Sequence, residues 1–204
     1  MSSGLELCPL SRRSLRLVYR SEMTEAFPRA ERKPLRTIRA MVEAGLCDPV
    51  GLWRSGALMG YALSCPIGDD VLLDYLAVCA HKRGEGVGGA MLDLLAERYA
   101  GRALVVEAEA PETARSPEER ARRERRLGFY LHRGFRLLDY QAQLFTVRYT
   151  MLVRGEADEA AVMAAHRAFY QTRLPVGLYR RYVQIPAPAG PGGRRPERKE
   201  EETS

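Results

Sequence analysis

The stretch Arg83-Gly84-Glu85-Gly86-Val87-Gly88-Gly89 places four glycines in six residues, between an apolar run ending at Val78 and a helical pattern carrying Met91 and Leu95. Glycine inside a helix costs about 1 kcal/mol relative to alanine, and a plain turn has no need of four. Missing side chains let an anion reach backbone N–H groups at a helix N-terminus, where the helix dipole also favours negative charge. The segment therefore reads as a phosphate cradle, and the Arg83 guanidinium can add charge-assisted hydrogen bonds to the same anion.

Two parses compete for this cradle. Gly84-x-Gly86-x-x-Gly89 formally fits a dinucleotide fingerprint, and Glu109 stands 20 residues after the last glycine. In that fold the first glycine follows its strand almost directly, whereas Cys79 to Arg83 intervene here, and the preceding strands read as a hairpin instead of a parallel βαβ series. The other parse runs from Leu76-Ala77-Val78 across four residues to Arg83-x-x-Gly86-x-Gly88 and into a helix at Met91-Leu92. This resembles the acetyl-CoA-binding motif of the GNAT N-acetyltransferases. Downstream, Phe129-Tyr130-Leu131-His132-Arg133-Gly134-Phe135 is similar to that family's F-Y-x-x-x-G-F signature, in the right order and at a fitting distance. The resemblance covers about residues 22–153.

The resemblance implies an α/β fold with a central, mostly antiparallel twisted sheet flanked by helices, in which a splayed strand pair holds the cofactor. It implies acetyl-CoA as acetyl donor, with the backbone of Arg83, Gly84, Glu85, Gly86, Val87, Gly88 and Gly89 on its pyrophosphate. Leu76, Ala77 and Val78 would lie along the pantetheine arm, with the Val78 N–H polarising the thioester carbonyl. Tyr130 matches the family's general acid, since a phenol with a pKa near 10 stays protonated at neutral pH. An amine with a pKa near 10 is only about 0.1% neutral at pH 7, so a carboxylate base is expected. Glu107, at a strand end, is the first candidate and Asp74 the second; Glu31, between the first two helices, is a candidate acceptor contact. The chain departs from the family at Ala80, where proline is common, and at Glu109-Ala110-Pro111-Glu112-Thr113, where members often carry an asparagine that contacts the cofactor.

The elements that must position these groups follow from periodicity. Residues 11–45 read as two helices broken at Phe27-Pro28, followed by a hairpin of Val50–Trp53 and Ala57–Leu63 and a turn over residues 65–70. Val71–Val78 reads as a strand. The helix after the glycines has Val87, Met91, Leu94 and Leu95 on one face and stops at Gly101. Ala103–Ala108 reads as the strand carrying Glu107. Ser116-Pro117-x-Glu119 has the form of a capping box for a helix running to about Arg133 with Leu127, Tyr130 and Leu131 on its buried side. A strand pair, Phe135–Leu138 and Leu144–Val153, and a helix from Ala157 to Tyr170 complete one domain over residues 1–185, with C-terminal helices over 156–185. Residues 186–204 hold four acids, four bases and no large apolar residue, the composition of a disordered tail.

Composition narrows the function classes. No stretch approaches the roughly 20 apolar residues of a membrane span, and the N-terminus lacks a signal-like apolar core, so a cytoplasmic protein is expected. Cys8, Cys47, Cys65 and Cys79 form no C-x-x-C pair and lie near no histidine cluster, which argues against a disulfide framework and against a metal site. The net charge of +6 suits a ligand with several phosphates, and much of it lies in Arg115–Arg126, where acids and bases alternate as on a solvated helix face. The reading is an N-acetyltransferase acting on a primary amine of a small molecule, peptide or protein, with a homodimer open. A non-catalytic acyl-CoA sensor is the alternative, and nucleic-acid binding through Arg120, Arg123 and Arg126 is a weaker third, because few aromatics accompany them.

Overall fold

The computed structural model describes residues 4–29 and 31–188. Its strands are β1 (Leu5–Pro9), β2 (Asp48–Arg54), β3 (Ala57–Ile67), β4 (Asp70–Val78), β5 (Leu104–Glu109), β6 (Arg136–Leu144), β7 (Val147–Arg154) and β8 (Val183–Gln184). The helices are α1 (Arg12–Val18), α2 (Thr24–Ala26), α3 (Leu35–Glu43), α4 (Val87–Arg98), α5 (Pro117–Leu131), α6 (Glu159–Arg173) and α7 (Val176–Tyr182), with a π-helical turn over Tyr19–Met23 joining α1 to α2.

All eight strands form one sheet in the order β1-β2-β3-β4-β5-β7-β6-β8. Every neighbouring pair is antiparallel except β4 with β5. Strand alternation sends two apolar sets to opposite faces. One face packs Leu72, Tyr75, Val105 and Met151 against Leu15 and Val18 of α1, Ile38 and Met41 of α3, and Val162 and Phe169 of α6. The other packs Leu73, Leu104, Val106 and Leu152 against Val87, Met91, Leu92 and Leu95 of α4 and Tyr130 of α5. The architecture is the mixed α/β, mostly antiparallel sheet expected from the sequence.

Its decisive irregularity is in the centre. In β3–β4 pairing Leu63 opposes Tyr75 and Ser64 opposes Leu73, so Asp74 is an extra residue, a β-bulge. On the other side, β4 pairs with β5 only at Val71–Leu104 and Leu72–Val105. Beyond the bulge the two strands part, as the splayed pair requires. The bulge also inverts which β4 groups face β5. The Cys79 N–H donates to the Met59 carbonyl at 3.0 Å, so alternation makes Gly60–Val78 and Ala62–Leu76 non-hydrogen-bonded pairs. The N–H and C=O groups of Leu76 and Val78 therefore point away from β3 and into the gap.

Several local expectations need correction. Leu5–Pro9 is a strand paired along β2, which short length and an intervening Glu6 concealed. The expected turn over residues 65–70 contracts to Gly68-Asp69, because β3 continues through Pro66 to Ile67. β6 stays extended to Leu144, its Leu138, Tyr140, Ala142 and Leu144 alternating inward, and the break expected after Leu138 shows as a register shift against β7 between Leu137 and Gln141. Leu131 is 41% exposed and not on the buried side of α5, and on α4 it is Leu92 that is fully buried while Leu94 is half-buried. Within the span expected to hold only C-terminal helices, α7 is followed by the short strand β8. Of the segment expected to be a disordered tail, Pro186–Pro188 are held against the sheet: the Ala187 N–H donates to the Gln141 carbonyl and Arg148 donates to the Pro188 carbonyl at 2.7 Å. Residues 189–204 lie outside the described residues.

Candidate active site

The glycines of the cradle divide into two kinds. Gly84 and Gly86 have φ of +84° and +75°, the left-handed region where a Cβ is penalised, and nothing lies within 4 Å of the Cβ each would carry. Gly88 and Gly89 have ordinary backbones and lie close against neighbouring side chains. A Cβ on Gly88 would stand 3.2 Å from Phe129 Cζ and 3.4 Å from Val78 Cγ2, and one on Gly89 would overlap the Arg133 guanidinium at 2.0 Å. The first pair shapes the loop; Gly88 leaves room for the Phe129 ring of α5 beside α4, and Gly89 faces the movable tip of Arg133.

This backbone leaves the donors free. The first bond of α4 runs from the Ala90 N–H to the Gly86 carbonyl at 3.2 Å, and no side chain caps the helix. Among the described residues, none of the six N–H groups from Gly84 to Gly89 has a hydrogen-bond partner. Unpaired donors at a helix N-terminus attract an anion. Arg83 is exposed beside them and enters no ion pair among the described residues, while the Glu85 side chain lies 3.7 Å from the Arg54 guanidinium.

The gap between β4 and β5 begins where the cradle ends. Leu76 and Val78 present backbone groups to it from β4, and their side chains, with Phe129, join the apolar layer that holds Tyr130. Tyr130 is buried and stacks edge-on with Phe129 and Phe135, ring centroids 5.3 Å away in both cases. Its hydroxyl has no protein partner among the described residues, and burial pushes its pKa up to about 12, opposed only by the Arg126 charge.

The opposite face holds the carboxylates. Glu107 Oε1 accepts from His166 Nε2 at 2.7 Å and from the Tyr170 hydroxyl at 2.9 Å; Tyr170 also reaches Oε2 at 3.1 Å. His166 is fully buried, and its Nδ1 lies 3.1 Å from the Tyr140 hydroxyl. Burial, then the Glu107 charge, pushes the Tyr140 and Tyr170 phenols up, so both keep their protons. Asp74 has a different fate. Its carboxylate receives Lys33 Nζ at 2.6 and 2.8 Å and is almost wholly buried. Burial alone would lower the Lys33 pKa, but the adjacent Asp74 raises it, so the ammonium keeps its proton. Asp74 thus serves to pin the segment between α2 and α3 onto the bulge, helped by the Tyr75 hydroxyl, which accepts from the Lys33 N–H and donates to the Glu31 carbonyl. The Glu31 carboxyl has its pKa raised, first by burial and then by Glu109.

Sequence reasoning missed His166, Tyr140 and Tyr170, all distant from any motif; a histidine one turn before a tyrosine on the inner face of α6 was the available signal. It also misjudged Arg123. That side chain is buried, donating to Glu109 and Glu119 at 2.9 and 2.8 Å, the Ala110 carbonyl and Thr113 Oγ1. Arg126 pairs with the second Glu109 oxygen at 2.9 Å. Two of the three arginines considered for nucleic acid thus clamp the loop after β5. Among the described residues there is no group of three or more histidine, cysteine or acidic side chains placed to hold a metal, and no helix long and apolar enough to cross a membrane.

No family model and no curated protein matches the sequence. Solved structures do match the fold. A protein assigned to the GNAT acetyltransferases from Bacteroides thetaiotaomicron superposes with a TM-score of 0.68 at 20% identity, over 82% of this chain and 96% of that one. The ribosomal-protein-S18-alanine N-acetyltransferase of Escherichia coli gives 0.56 at 18% identity, over 76% and 97%. A chimaeric spermidine N-acetyltransferase from Vibrio cholerae gives 0.57 at 11% identity, over 74% and 95%.

Proposed function

Since the chain has the fold of the GNAT acetyltransferases, we propose that it is an N-acetyltransferase that moves an acetyl group from acetyl-CoA to a primary amine. The observation that carries this reading is the run of six unpartnered N–H groups from Gly84 to Gly89, opening onto a strand gap with its own unpaired backbone edge. That is an anion cradle joined to an extended amide-binding rail, which fits a pyrophosphate followed by a pantetheine arm. Acetyl-CoA would supply the activated thioester.

The chain's own groups then divide the remaining work. The N–H groups of residues 84–89 and the Arg83 side chain hold the diphosphate charge. Leu76 and Val78 align the arm, and the Val78 N–H donates to the thioester oxygen. Tyr130, protonated and without a competing partner, holds the proton for the leaving sulfur. Glu107 accepts the proton of the incoming ammonium; Asp74, committed to Lys33, does not. The acceptor enters from the side of the 27–34 segment, where Glu31 has no ion pair among the described residues and favours a cationic amine.

Thermal-shift measurement with acetyl-CoA tests the donor, and thiol release over amines that include a polyamine and an alanine-terminated peptide tests the transfer. Wild type is expected to be stabilised and to turn over, Gly86→Asp to lose the stabilisation, and Tyr130→Phe and Glu107→Gln to bind acetyl-CoA but turn over about 10²-fold or more slowly. Absence of stabilisation by acetyl-CoA overturns the donor assignment. Stabilisation without turnover on any amine replaces the enzyme with an acyl-CoA sensor.

A further inference from the structure

We propose that His166 is a positioning residue for Glu107: held as the neutral Nε2–H tautomer by Tyr140, it fixes one oxygen of the carboxylate so that the other takes the substrate proton. This inference rests on the reading of Glu107 as the base.

The tautomer follows from accounting for hydrogens in a dry site. The Tyr140 hydroxyl is buried, and among the described residues its one polar partner is His166 Nδ1. It keeps its proton and must donate it, which leaves Nδ1 bare as the acceptor. The imidazole hydrogen then sits on Nε2 and points at Glu107 Oε1, 2.7 Å away. The reverse tautomer strands the tyrosine hydrogen and faces a bare ring nitrogen with a carboxylate. Buried polar groups left unpaired cost more than the bond they forgo, so this arrangement selects one state.

The same geometry separates the two oxygens of Glu107. Oε1 receives both His166 and the shorter Tyr170 bond, whereas Oε2 receives only the longer, shared contact at 3.1 Å. Oε2 therefore keeps acceptor capacity. An acid held by an oriented histidine, itself set by a third group, follows the logic of a hydrolase triad with the ends exchanged. Here the tyrosine sets the tautomer and the histidine presents the acid. Other charged or titratable groups around Glu107 are Tyr149 of β7, Tyr140 of β6, Tyr170 of α6, Asp74 of β4, and Lys33 and Glu31 of the segment after α2. Asp74 and Lys33 pair with each other, and burial keeps the surrounding tyrosines protonated over the working range.

NMR on the intact chain tests the idea without a substrate. The sequence holds three histidines, so imidazole ¹⁵N spectra of His166 are separable from those of His81 and His132 by substitution. At pH 7 His166 is expected as the Nε2–H tautomer. The Glu107 carboxyl carbon, assigned through Glu107→Gln, is expected to titrate about one pH unit higher in His166→Leu, higher by part of that in Tyr140→Phe, and within a few tenths of a unit of wild type in His166→Gln, whose amide N–H replaces Nε2–H. The acid limb of kcat/KM is expected to move the same way, with the acetyl-CoA Kd unchanged.

A role confined to stability lowers the melting temperature without moving either midpoint, and that result overturns the proposal. So does an Nδ1–H tautomer. If His166→Leu fails to fold, the wild-type tautomer and Tyr140→Phe decide together, because that variant loosens the tautomer lock and leaves the histidine in place. Wild-type turnover by Glu107→Gln removes the base assignment, whereas unchanged midpoints beside an inactive Glu107→Gln remove the histidine alone.

Discussion

Replacing Gly86 by alanine isolates what the cradle demands of its backbone. Gly86 sits at φ +75° with open space around the Cβ position, so the substitution meets no neighbour and its whole cost is conformational. An L-residue held in the left-handed region loses about 1–2 kcal/mol. For a chain of this size each kcal/mol moves Tm by about 2–4 °C, so Gly86→Ala is expected to melt roughly 2–8 °C lower. Asparagine tolerates the left-handed region, so Gly86→Asn is expected to recover about half of that loss. Binding should follow the same order. If the loop relaxes, the N–H groups of residues 84–89 no longer converge, and loss of even one charge-assisted hydrogen bond of about 1.5–3 kcal/mol weakens acetyl-CoA by roughly 10- to 150-fold. Differential scanning calorimetry and titration calorimetry read the two quantities separately. Equal Tm and equal Kd in wild type and Gly86→Ala would refute the reasoning, as would an asparagine variant worse than alanine, which would place the constraint in space and not in φ.

Other substitutions probe the rest of the site. Tyr130→Phe is expected to leave Tm within about 1 °C of wild type, because the hydroxyl has no partner to lose, while slowing transfer by about 10²-fold or more; a variant as fast as wild type removes the proton-donor role. Lys33→Met strands the buried Asp74 carboxylate and is expected to cost on the order of 3 kcal/mol by denaturant unfolding, with Lys33→Met/Asp74→Leu less damaging than the single change. Alkaline stability offers a global check. Tyr130 is raised to about 12, against about 10 unfolded, so the folded state holds its proton more tightly; the stability this gives is complete below pH 10 and is lost as pH climbs towards 12. Tyr140 and Tyr170 are shifted in the same direction and add to the loss. Circular dichroism melts between pH 8 and 11.5 should show Tm falling above about pH 10; a flat profile would mean that these phenols are not buried as described.

The legible parts of the molecule were those written in consecutive residues. The glycine loop that opens α4, Ser116 as the cap of α5 and the strand carrying Glu107 follow from local spacing; Ser116 accepts from the Glu119 N–H at 3.1 Å as read. Even there the return bond differs, since Glu119 accepts from the Arg115 N–H and not from Ser116. The bulge at Asp74 was not legible, because one residue too many in a strand shows only against its partner's register. Equally hidden were pairings across 41 residues from Lys33 to Asp74 and across 59 from Glu107 to His166. Charge patterning suggested a solvated α5, and burial of Arg123 reversed that for one residue because a guanidinium with four acceptors can be taken out of water.

The sheet itself has a consequence for proton traffic. Tyr130 belongs to the layer of α4 and α5, and Glu107 reaches into the layer of α6. A sheet between a proposed donor and a proposed acceptor works as a partition, and the parting of β4 and β5 is a doorway through it. Tyr130 and Glu107 are thus kept in separate layers of the resting protein. The route between them closes when reactants occupy the doorway, so the proton taken up by Glu107 and the proton given by Tyr130 are linked through the reactants and not through a direct contact.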